Sequence, residues 1–214
     1  IGEKDSLMYD FIQSAAFPNF FGVAMPLVKY GLPIHPVQLD NVRRFAGYLE
    51  DYKCLVLSYE YMKPDAPDVN AAVVSWIREG GTLIYVGDGS DPFHKIDAWW
   101  GQRGYANPAE HLFDLAGLGR DPKEGVHEVG AGKIVVWKEL PARICLSKEL
   151  ADQYRSLVQK TLADTGITWT YRNDLTLHRG PYVISSVMAE SVSDEKKVFT
   201  GVYADLMTND YAII

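Results

Sequence analysis

The chain has 214 residues, enough for one domain with a full core or for one domain plus part of another. Apolar residues make up 47% and no low-complexity stretch occurs, so the composition is that of a globular protein rather than a disordered one. A net charge of −7 argues against a nucleic-acid partner, which needs clustered Lys and Arg, and no apolar run approaches the roughly 18 residues of a membrane span.

No signal peptide is recognisable. The chain begins at Ile1 rather than Met, which implies that a native start has been removed. The first predicted helix carries Phe20, Phe21, Val23, Ala24, Leu27 and Val28, with Asn19 as its cap, Pro26 as a kink and Gly31 as its stop. Ile34–Leu39 reads as a short strand, and Val42–Tyr48 as a short amphipathic helix.

Tyr52 to Ser90 is the most informative stretch. Cys54-Leu55-Val56-Leu57 and Leu83-Ile84-Tyr85-Val86 are unbroken apolar runs, the sign of strands buried on both faces. Between them Val69, Ala72, Val73, Trp76 and Ile77 fall on one helical face. Asp65 is the expected cap, Pro67 sits in the first turn, and Gly80-Gly81 ends the helix. This is a βαβ unit, so the sheet is parallel, and ligands are expected beyond the carboxyl ends of its strands. The loop at that end is Gly87-Asp88-Gly89-Ser90-Asp91.

Asn107-Pro108 opens a helix from Ala109 to Ala116, closed by Gly117. Val126–Val129 and Lys133–Trp137 flank Gly130-Ala131-Gly132 as a hairpin. Ser147 caps a long helix with Leu150, Ala151, Tyr154, Leu157, Val158 and Leu162 on one face, ended by Gly166. Beyond it the pattern changes to antiparallel strands: Leu175–His178, Tyr182–Met188, a polar turn at Ser193–Lys197, and Val198–Leu206. A boundary near residue 170 therefore divides an α/β domain, residues 1–170, from a β segment, residues 171–214. That segment looks like an edge of a β-sandwich.

The fragment Tyr52-Lys53-Cys54-Leu55-Val56-Leu57-Ser58-Tyr59-Glu60-Tyr61-Met62, followed by Trp76-Ile77-Arg78-Glu79-Gly80-Gly81-Thr82-Leu83, resembles the class I glutamine amidotransferase-like domain. The match is to the version found as the trimerisation domain of bacterial β-galactosidases and related glycoside hydrolases. It covers about residues 1–170, most clearly 30–90. Gly87–Phe113 and the tail from Arg179-Gly180-Pro181-Tyr182 also look like accessory regions of such enzymes. The resemblance implies a three-layer, flavodoxin-like parallel sheet with helices on both faces, lying beside a catalytic barrel and followed by a β-domain. It also implies a homo-oligomer, and other domains of the same polypeptide as partners. True amidotransferases carry a Cys at the strand-to-helix elbow, backed by His and Glu. Here the elbow falls on Gly87 or Asp88, so amidotransferase activity should be absent.

Asp88, Ser90, Asp91, His94 and Asp97 cluster at the expected ligand end. One reading is a metal site or an acid/base pair. The favoured one is a solvated loop whose Asp and Ser side chains bond their own backbone. Ser90 is not in a G-x-S-x-G elbow, which speaks against a serine hydrolase. Trp99, Trp100 and Tyr105 could stack on a carbohydrate, but packing against a neighbouring domain or subunit is favoured.

Glu110 and His111 point to different faces of one helix, and His111 reads as a hydrogen-bonded structural histidine. His35, His127 and His178 are too scattered for a metal signature. Cys54 and Cys145 read as small buried hydrophobes in strand-like contexts, although Cys145 precedes a helix start that could lower its pKa.

The sequence thus assigns no catalytic residue, metal site or cofactor. It favours a non-catalytic accessory or oligomerisation domain of a glycoside hydrolase. A stand-alone hydrolase built on Asp88, Asp91 and His94, or a sugar-binding module using Trp99, Trp100 and Tyr105, are the alternatives. A β/α barrel alone takes about 250 residues, so catalysis would lie elsewhere in the parent chain.

Overall fold

Two apolar faces of three neighbouring strands organise the fold. The computed structural model describes residues 17–60, 62–172, 174–187, 198–207 and 211–213. It is mixed α/β, with a four-stranded, mostly parallel sheet, helices, and a separate two-stranded antiparallel sheet. Strands β1 (Cys54–Leu57), β2 (Thr82–Val86), β3 (Gly125–Val129) and β4 (Gly132–Trp137) lie in the order β1-β2-β4-β3. β1 and β2 are parallel, as are β2 and β4, while β3 returns antiparallel on β4 as the predicted hairpin.

Leu55, Leu57, Leu83, Tyr85, Ile134 and Val136 belong to one hydrophobic cluster. Their alternates Cys54, Val56, Ile84, Val86, Val135 and Trp137 belong to another, as the two-residue period of a strand requires. The first cluster is completed by α2 (Pro67–Arg78), through Val69, Val73 and Ile77, and by α4 (Pro108–Ala116), through Leu112 and Phe113. The second is completed by α1 (Phe17–Val28), α5 (Pro141–Leu146) and α6 (Lys148–Asp164), through Leu27, Ile144, Tyr154 and Val158. Trp137 stacks on Tyr154, whose hydroxyl donates to Val23 O at 3.0 Å. Between β2 and α4 a 3-10 turn (Pro92–Lys95) precedes the short α3 (Trp99–Gln102).

The predicted cap holds at Ser147, which accepts from Leu150 N–H, and the helix opening at Asn107-Pro108 is capped by Asn107, which accepts from Glu110 N–H. Two others are corrected. Ala66, not Asp65, precedes α2, and Asp65 instead pairs with Arg43 at 3.1 Å. Asn19 lies inside the first turn of α1 and caps a different helix: its side chain accepts from Ala142 N–H at 3.0 Å, at the start of α5. Gly22 makes that packing possible. A Cβ there would stand 1.7 Å from Pro141 O.

Ile34–Leu39 is not a strand. Pro33 and Pro36 lack ladder donors, and the segment is irregular until a 3-10 turn at Leu39–Arg43. That turn, with Arg44 N–H donating to Asn41 O, replaces the helix expected over Val42–Tyr48. Cys145 lies within α5, just ahead of the start of α6 as expected, but it is exposed and not in a strand, and desolvation raises its pKa where a helix start was expected to lower it; both cysteines are free thiols.

β5 (Asp174–Arg179) and β6 (Tyr182–Val187) form the expected antiparallel pair. Val198–Leu206 is not a strand. Among the described residues only the isolated bridge Ala204–Ile213 forms there, because no neighbouring strand offers a ladder. The polar turn at Ser193–Lys197, together with Tyr61 and Met188, lies outside the described residues. The chain near the expected boundary rests on the end of α1: Arg172 N–H and Trp169 Nε1 both donate to Tyr30 O.

Candidate functional site

The crevice beyond the carboxyl ends of β1 and β2 is filled by four side chains: Glu60, Lys63, Asp91 and His94. Glu60 follows β1 by three residues and is the anchor. Its side chain is fully buried. Oε1 accepts from Gly89 N–H at 2.6 Å and Oε2 from Asp91 N–H at 3.1 Å, so one carboxylate ties the loop after β2 to the end of β1. Gly87 has no side chain because a Cβ there would meet Glu60 Oε1 at 2.9 Å and the Tyr85 hydroxyl at 3.0 Å. Burial pushes the Tyr85 hydroxyl well above its ordinary pKa, and the neighbouring Glu60 adds to the effect.

Asp91 is buried and caps the 3-10 turn, its Oδ1 accepting from Phe93 N–H at 2.9 Å. Its Oδ2 is ion-paired with Lys63 Nζ. Desolvation lowers the Lys63 pKa, and Asp91 opposes that shift. The turn then carries His94 inward. Only 6% of its surface remains exposed, and Nε2 lies 3.5 Å from Glu60 Oε2. Neither ring nitrogen has a hydrogen-bond partner among the described residues. One ligand atom from each of Glu60, Asp91 and His94 lies within 4.8 Å of the other two. These three residues could hold a metal ion.

Of the sequence-predicted cluster, only Asp91 and His94 therefore reach a common site. Asp88 is exposed and accepts from Ser90 N–H at 3.0 Å, the self-bonded loop expected of Asp in a turn. Ser90 itself is exposed, and Asp97 accepts from Gln102 on the surface. Glu60 and Lys63 were not legible as site residues. The one available signal was their position just after a buried parallel strand.

The aromatic cluster turns inward as packing. Trp100 is buried and donates from Nε1 to His94 O, holding the turn from below. Trp99 donates to Pro64 O at 2.8 Å and meets His111 edge to face. Tyr105 donates to Asp114 at 2.7 Å, a bond that raises its pKa, and lies under the Arg120 guanidinium. His111 is the structural histidine expected: its Nδ1 faces Asn70 Nδ2 at 3.1 Å, and burial lowers its pKa. Asn70 also accepts from the Tyr59 hydroxyl and donates to Pro108 O, which joins β1, α2 and α4.

The elbow position Gly87–Asp88 carries no thiol. Cys54 stands at the opposite, amino end of β1, with its thiol pushed up to about 11 by burial. A cavity of about 530 Å³ runs along the open edge of β1, lined by Leu27, Leu32, Ile34, Leu55, Leu57 and Val158. Another of about 560 Å³ lies at the amino ends of the strands, around Lys53, Thr82 and Lys133. Neither includes the Glu60–His94 cluster. Comparison with protein-family models, curated proteins and solved structures finds no match to this chain.

Proposed function

We propose that this chain is a three-layer, amidotransferase-like domain that serves a glycoside hydrolase as a non-catalytic accessory and assembly unit. The glycoside hydrolase context comes from the resemblance carried by Tyr52–Met62 and Trp76–Leu83. The observation that carries the assembly role is the apolar surface of the tail. Ile184, Val198, Val202, Met207 and Ile213 are between 54% and 94% exposed. A two-stranded sheet is marginal by itself in water, and side chains of this kind are normally covered. The reading covers them with further β-structure of the same polypeptide or with a second copy.

The carboxyl-end crevice supports the non-catalytic part. Both Glu60 oxygens and both Asp91 oxygens are engaged by protein donors, and the elbow lacks the amidotransferase cysteine. Sugar stacking gains no support: Trp100 is buried, Trp99 packs edge to face against Trp100 and His111, and the Tyr105 ring is covered by the Arg120 guanidinium. The purified chain should therefore turn over neither aryl glycosides nor glutamine. It should self-associate in sedimentation, or bind the flanking domains of its parent. Hydrolysis of an aryl glycoside that is lost on Asp91→Asn would overturn the reading in favour of a stand-alone hydrolase.

A further inference from the structure

We propose that Glu60, Asp91 and His94 form a site for a divalent transition cation, with zinc(II) the ion that fits the donor set. The observation that points to a ligand is His94. Its ring is more than nine-tenths buried, both nitrogens lack a partner among the described residues, and Nε2 is aimed at Glu60. A buried imidazole left without a hydrogen-bond partner is costly, so natural interiors seldom keep one. A cation bound at Nε2 removes that cost.

The spacing fits as well. Two ligands held about 2.05 Å from one zinc at the tetrahedral angle lie about 3.3 Å apart. His94 Nε2 and Glu60 Oε2 are 3.5 Å apart, too far for a good hydrogen bond and close to the separation of two zinc ligands. The donors are one imidazole nitrogen and two carboxylate oxygens, a set that takes zinc or manganese rather than a soft ion. Two carboxylates and a neutral imidazole balance a divalent charge. The carboxylates are also oriented in advance, Glu60 by the Gly89 and Asp91 amides and Asp91 by the Phe93 amide, as outer hydrogen bonds orient metal ligands.

Lys63 supplies the control. Its ammonium pairs with Asp91 Oδ2 and so competes with a cation for the same carboxylate. Binding must displace it from that oxygen. This inference is independent of the accessory role, and its test reads metal affinity rather than assembly or turnover.

The chain is stripped with a chelator and titrated with zinc(II), then manganese(II), against a chromophoric competitor. One zinc per chain is expected. His94→Ala should weaken binding at least about a hundredfold, as loss of a ligand should exceed loss of an outer hydrogen bond. Lys63→Met should tighten it at least about tenfold, a gain that a misfolded variant could not produce. His178→Ala, at an exposed histidine, should change nothing. No saturable site in either the wild type or Lys63→Met overturns the proposal. So does zinc affinity that His94→Ala leaves intact.

Discussion

Replacing Glu60 with Gln tests whether the loop after β2 is held by one buried carboxylate. The substitution keeps the side-chain volume and removes the charge. In the native chain two amides, Gly89 N–H and Asp91 N–H, donate to separate Glu60 oxygens at 2.6 and 3.1 Å. Hydrogen bonds to charged acceptors contribute about 1.5–3 kcal/mol each, against about 0.5–1.5 for neutral ones. The amide of Gln retains one acceptor and turns its NH₂ toward the other N–H. One bond is weakened and one donor loses its acceptor. The expected loss is about 2–4 kcal/mol. With a urea m-value of about 3 kcal/mol/M, the denaturation midpoint should fall by about 1 M. The measurement is made in chelator, so that metal does not contribute, with Asp88→Asn as the control on the same loop. Asp88 is exposed and should shift stability by less than about 0.5 kcal/mol. A Glu60→Gln midpoint within about 0.2 M of wild type would refute the anchoring argument.

Gly22→Ala would place a Cβ 1.7 Å from Pro141 O, a backbone atom that cannot swing aside. It should cost more than the about 1–3 kcal/mol of ordinary overpacking, and calorimetry should show a lowered Tm. At pH 8 a thiol with a pKa of about 11 is roughly 0.1% thiolate, so Cys54 should resist a disulfide reagent while exposed Cys145 reacts first. Cys145→Ser should abolish that fast phase, and a fast phase that survives would contradict the assignment. Burial holds the His111 pKa below 6.5, so the unfolded chain takes up this proton first as pH falls. Stability should decline from about pH 6.5 down to the lowered folded value and then level off. His111→Gln should flatten that limb, and an unchanged slope would count against it.

The βαβ unit was legible because both strands and the helix state their periods without interruption. Val69, Val73, Ile77, Leu83 and Ile84 are all fully buried, as their spacing required. The failures have local causes. Ile34–Leu39 carries strand-like side chains, but Pro33 and Pro36 keep it irregular. Asn19 has the chemistry of a cap, yet it serves a helix that begins 122 positions later, at Pro141, and no local pattern encodes that. The site was half legible. Asp91 and His94 sit in a conspicuous loop, whereas their partners lie far back in the chain: Glu60 stands 31 residues before Asp91, and Lys63 stands 28 before it. The parallel βαβ unit was expected, but the register Leu57↔Tyr85, which brings the residues after β1 beside the loop after β2, is not written in either segment alone. Trp99, Trp100 and Tyr105 looked available because composition does not say where an indole N–H will find its acceptor.

The most direct test of the accessory-domain account is to read the open reading frame on both sides of residues 1–214. The account predicts an upstream run of alternating strand and helix patterns long enough for a β/α barrel, and β-rich sequence downstream. A start codon immediately before Ile1 and a stop immediately after Ile214 would contradict it.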